Sequence, residues 1–125
     1  MENFSFTKQE MAAVIKMAGI MVAADGIVHQ NEKEMMTKEV MRFNIPLNEV
    51  AMLVEKAKTM ESDVAIATIA IMTDAQKRYV TAYLGAMIAI DGDVDDKEVA
   101  LWSLVSQICH LPNMTIAEAI DYLDN

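Results

Sequence analysis

The chain has 125 residues, 54% of them hydrophobic, a single cysteine and a formal net charge of −9; that length can bury roughly two thirds of its unfolded surface around one core. One cysteine excludes an internal disulfide and fits a reducing compartment. The acidic balance argues against nucleic acid as the main partner, because neutralising phosphates requires clustered Lys and Arg. The uncharged apolar runs at 64–72 and 79–90 are shorter than the roughly 18 residues that suggest a membrane span. The N-terminus carries Glu2 and no basic region leading into an apolar stretch, so a cytoplasmic protein without a membrane span is expected. Without export, the sequon Asn113, Met114, Thr115 has no meaning.

In chain order, the first helix is announced by Thr7 and Glu10 at capping-box spacing and by Phe6 with Met11 as a hydrophobic staple. Met11, Val14, Ile15, Ala18 and Met21 then recur every three or four positions, the spacing that places side chains on one helical face. Met36, Val40 and Phe43 mark a second helix, and Val50, Leu53, Val54 and Ala57 a third. Pro46 stands where a short turn ends the helix before it. Residues 64–72 are apolar nearly all round and predict a buried linking helix. A fifth helix opens at Thr73 with Gln76 and carries Val80, Tyr83, Leu84 and Met87; a sixth carries Leu101, Trp102, Val105 and Ile108. Pro112 ends it, and Thr115 with Glu118 opens a seventh containing Ile116, Ala119, Ile120 and Leu123. Strand signals are almost absent, so the expected fold is all-α with about seven helices.

A shift of 66 residues lays residues 8–59 on 74–125 without a gap. It matches Val14 to Val80, Gly19 to Gly85, Met21 to Met87, Ala23 to Ala89, Pro46 to Pro112 and Ala51 to Ala117. Register held through loops as well as helices points to an internal repeat: residues 1–125 form one domain of two pseudo-twofold-related three-helix halves joined by the linking helix. The charge is divided between them. Residues 8–59 hold seven acids and seven bases, whereas 74–125 hold nine acids and three bases.

The repeat is densest where Asp25, Gly26, Val28 and Glu32 fall on Asp91, Gly92, Val94 and Glu98. Each glycine follows an apolar helix, where a left-handed residue commonly ends it. Asp95 with Glu98 has capping-box spacing, and Val94 with Val99 that of a staple. The aspartates are less easily explained, because an acid in a helix's last turn faces the negative end of the dipole at a cost of about 0.3–1 kcal/mol. A compensating partner is either the amides of the turn and the following helix or a cation. The second loop is the better cation candidate: Asp91, Asp93 and Asp95 alternate, Glu98 follows, and five acids within residues 91–98 form a hard oxygen cluster of the kind that suits calcium or magnesium. It is not an EF-hand, since counting from Asp91 puts Asp96 where the glycine belongs and Trp102 where the bidentate glutamate belongs. The first loop has Ile27 and His29 in place of Asp93 and Asp95, so a site there is poorer or shared.

Two halves, each with a helix ending in A-D-G or I-D-G followed by V-x-x-x-E opening the next helix, resemble the tellurite-resistance TerB-like domains over residues 7–123. The resemblance implies an all-helical domain with internal twofold similarity, found in bacterial proteins of tellurite resistance and stress, whose repeated acids are suspected metal ligands. By position those acids are Asp25, Glu32, Asp91 and Glu98.

The remaining reactive residue types read as structure. The twelve methionines fall largely on apolar helical faces, where Met is an adaptable core filler, and Cys109 continues the stripe of Trp102 and Val105. No nucleophile, base and orienting group can be assembled from the sequence, so an enzyme is not expected. Two functions follow: a divalent-cation-binding helical module of a bacterial stress or tellurite-resistance-like system, with Asp25, Glu32, Asp91, Asp93, Asp95 and Glu98 as ligands, or a metal-free interaction domain whose acidic face docks a basic protein.

Overall fold

The computed structural model describes residues 4–23, 30–90 and 94–124, and of residues 30–33 the backbone alone. Seven helices follow one another: α1 Lys8–Val22, α2 Gln30–Met41, α3 Leu47–Thr59, α4 Ser62–Ala70, α5 Asp74–Ala89, α6 Asp96–Ile108 and α7 Ile116–Asp124, with no strand among the described residues. The chain is all-α, as its periodicity predicts.

Three helix starts carry the reciprocal bonds that their sequences announce. The Thr7 hydroxyl accepts from the Glu10 amide at 3.1 Å while the Glu10 carboxylate accepts from the Thr7 amide at 2.9 Å. Thr73 with Gln76, and Thr115 with Glu118, make the same pair of bonds. Each arrangement satisfies two amides that a helix otherwise leaves without partners.

One pair of positions equivalent under the 66-residue shift, Glu10 and Gln76, meets in space. The Gln76 carboxamide donates to both oxygens of Glu10 at 3.3 Å and to the Ser5 carbonyl at 2.8 Å, so the third residues of the two capping boxes touch. The non-glycine residues with positive φ among those described are Asn44 at 63° and His110 at 57°, again 66 positions apart. Both lie just past the second helix of their half, where a left-handed residue commonly ends a helix; at the second site the Leu111 amide reaches back to the Ser106 carbonyl at 2.8 Å.

The main core gathers the inner faces of α1, α4, α5 and α6, with Met17, Met21, Tyr83, Leu84, Met87 and Trp102 among its members. A smaller cluster of Met11, Ile15, Val40, Val50, Leu53 and Ala57 holds α2 and α3 to the other side of α1. α7 packs chiefly on α5, as α3 packs on α1. Cys109 is buried, its thiol 3.7 Å from the Ile66 carbonyl, and burial pushes that thiol up from its ordinary range.

The linking helix departs from expectation. α4 buries one stripe, Ala65 and Ile69, while Val64 is exposed and Ile71, just past its end, is 86% exposed. An all-apolar composition marks a helix as able to be buried on every side, but here α4 meets α1 and α6 on one side only.

Candidate functional site

Of the six acids singled out in the sequence, Asp25, Asp91 and Asp93 lie outside the described residues, and Glu32 opens α2 with its side chain likewise outside them. Asp95 and Glu98 are described. Asp95 is the N-cap of α6: its Oδ1 accepts from the Lys97 amide at 2.8 Å and the Glu98 amide at 3.2 Å. This is the internal partner for a loop acid, and it occupies the oxygen that a cation would otherwise share. Glu98 is only 3% exposed, so the carboxylate expected to project into an open loop is packed into the fold. Among the described residues no three His, Cys, Asp or Glu side chains form a group able to hold a metal ion.

The directions of α2 and α5 decide where the two acidic segments attach. Near the C-terminal end of α2, Glu39 meets Tyr79 at 2.8 Å and the Phe43 ring lies 5.0 Å from the Tyr79 ring, early in α5. Nearer the start of α2, Glu34 and Met35 share a cleft with Ala89 and Ile90 at the end of α5. The helices are therefore antiparallel. The chain enters α2 and leaves α5 at one end of the molecule, directly after residues 24–29 and directly before residues 91–93.

That cleft, about 510 Å³, is walled by α2, the last turns of α5, and α7. Ala86, Ala89, Ile90, Ile120 and Leu123 supply an apolar lining, with Glu34, Lys38, Arg42 and Asp124 around it. Its inner wall contains a residue that the sequence reading passed over, Glu39, which is 4% exposed. One Glu39 oxygen accepts from the Tyr79 hydroxyl, and the other pairs with Arg42 at 3.2 Å. Arg42 also approaches the Leu123 carbonyl at 3.4 Å, tying α2 to α7. Burial, followed by the nearby Glu39 charge, pushes the Tyr79 and Tyr83 hydroxyls well above the ordinary tyrosine range. The Tyr83 hydroxyl is buried without a hydrogen-bond partner. A signal for this network did exist in the repeat: Glu39 and Tyr79 stand where the shift places Val105 and Ala13, both apolar core residues. A carboxylate and a phenol replacing a valine and an alanine mark a polar insertion into an apolar plan.

No helix among the described residues is long and apolar enough to cross a membrane. The fold and these sites define an all-helical module. The chain is similar, at 45% identity over 100% of its own length and 95% of the other chain, to a crystallised protein of unknown function from Porphyromonas gingivalis, with a TM-score of 0.89. At that identity and coverage it belongs to the same family as the P. gingivalis protein. No family model matches the chain, and no curated protein matches it.

Proposed function

We propose that the chain is a non-catalytic, divalent-cation-binding module of the TerB-like type, serving a bacterial stress response, with Asp25, Glu32, Asp91, Asp93, Asp95 and Glu98 as its oxygen donors. The observation that carries this reading is the antiparallel arrangement of α2 and α5, whose start and end share one cleft. Residues 24–29 and 91–93, distant in sequence, adjoin those two helix ends in the chain. A cation between them relieves repulsion among the five acids of residues 91–98 and offsets the unfavourable placement of Asp91 after the end of α5. Asp95 contributes through the oxygen that α6 does not use. Calcium or magnesium suits an all-oxygen set.

The test is thermal unfolding and calorimetric titration of chelator-treated protein with calcium, magnesium, manganese and zinc. Binding to the native state raises the unfolding temperature by mass action. Asp91→Asn abolishes most of this stabilisation, while Asp96→Asn, which removes the same charge outside the alternating set, retains it. Equal losses in the two variants, or no stabilisation beyond that given by monovalent salt, would falsify the cation reading.

A further inference from the structure

We infer that the cleft between α2, α5 and α7 is a docking groove for a basic amphipathic helix of a partner protein, a surface distinct from the loop acids proposed as cation ligands. Its floor is apolar, and two of its large side chains, Ile90 and Ile120, remain 39% and 38% exposed. A volume of about 510 Å³ accepts two or three apolar side chains presented at helical spacing, the anchor pattern of helix-in-groove recognition.

Charge selects the partner. Arg42 is neutralised within the wall by Glu39, leaving Lys38 as the opposing base on the α2 side. The remaining charged lining is acidic: Glu34 on the α2 side and Asp124 at the end of α7, both exposed. A helix that places leucine-like residues on the floor and bases toward Glu34 and Asp124 is therefore complementary in both shape and charge, and those charges act chiefly on association.

The probe is a fluorescein-labelled synthetic peptide of leucine and lysine, with the leucines at helical i, i+3, i+4 and i+7 spacing. Its binding is followed by anisotropy in chelator at fixed ionic strength, so that success or failure of the cation site has no bearing on the result. Ala89→Trp, which fills the cleft, and Ile120→Ser, at an exposed position, each weaken binding roughly tenfold or more, with circular dichroism and urea midpoints confirming that both variants are folded. Asp124→Lys weakens binding severalfold and flattens its salt dependence. Glu55→Lys, an equal charge change on exposed α3, leaves affinity within about twofold of wild type. The inference is overturned if both cleft variants bind as wild type does, if Glu55→Lys weakens binding as much as Asp124→Lys, or if a leucine and glutamate peptide of the same pattern binds equally well.

Discussion

Gly19 and Gly85 occupy the same position of the two halves, toward the C-terminal ends of α1 and α5, yet their surroundings give them opposite roles. A Cβ on Gly85 would sit 2.5 Å from Cζ2 and 2.9 Å from Cη2 of Trp102, and 3.0 Å from Cβ of Ala119. The indole is itself buried and held by its N–H donating to the Thr81 carbonyl at 3.2 Å, so it has little freedom to retreat. Gly85→Ala forces this contact apart at a cost of about 1–3 kcal/mol, more than the ~1 kcal/mol by which alanine favours a helix interior over glycine. The variant is destabilised, and its Trp102 fluorescence changes. Around Gly19 a Cβ would meet no atom within 4 Å beyond its own chain neighbours and the surrounding backbone of α1; Gly19→Ala therefore stabilises by roughly 0.5–1 kcal/mol. Urea unfolding of the two variants checks the pair, and a stabilised Gly85→Ala would refute the close approach of Trp102. The glycine pair was visible in the sequence. Which member is obligatory was not, because the deciding atom belongs to a residue seventeen positions away on another helix.

Among the elements, the helix starts were the most legible parts of the chain because their chemistry is confined to four consecutive residues. The three Thr-x-x-Glu/Gln boxes make their bonds as read, although they do not carry equal weight. Thr115 caps α7 at an exposed site. Thr73 caps α5 while its partner Gln76 also bonds Ser5 and Glu10 across the two halves. Thr73→Ala is expected to cost about 1–2 kcal/mol and Thr115→Ala about 0.5–1 kcal/mol, read as the difference in urea midpoints at unchanged slope. If Thr115→Ala costs as much as Thr73→Ala, the link through Gln76 adds nothing. α4 shows the opposite case. Its composition marks it as apolar, but how many of its sides are covered depends on how many helices surround it, and Val64 and Ile71 remain in solvent.

At the scale of the whole molecule, the polar insertion of Glu39, Tyr79 and Arg42 makes stability sensitive to alkali. Both buried tyrosines have their ionisation pushed upward in the folded protein, whereas in the unfolded chain a tyrosine ionises near about 10. Above that pH the unfolded chain has lost protons that the folded chain retains, so stability present in full below about pH 10 falls as pH rises. Each tyrosine contributes a slope of roughly 1.4 kcal/mol per pH unit beyond that point. Urea unfolding between neutral pH and pH 11 is expected to show this decline, with a shallower fall in Tyr79→Phe. At neutral pH that variant also leaves a Glu39 oxygen without its phenol donor, at a cost of about 1–3 kcal/mol. Equal alkaline slopes in wild type and Tyr79→Phe would show that Tyr79 does not carry the effect.

Helical periodicity, capping signals and the 66-residue register act over a few residues or along one strip of chain, and they were sufficient to predict seven helices and to single out the repeated acids. Burial of Glu39 and obligate glycine at position 85 were not determined locally. Both depend on contacts with another helix, Glu39 with Tyr79 and Gly85 with Trp102. For Asp95, sequence spacing allowed both roles, and the first turn of α6 took up one oxygen by presenting two amides to Oδ1. The packing of α2, the end of α5 and α7 opens an apolar cleft among three helices. Periodicity says which face of a helix is apolar; only packing decides which neighbour that face meets, and which part of it is left for a partner.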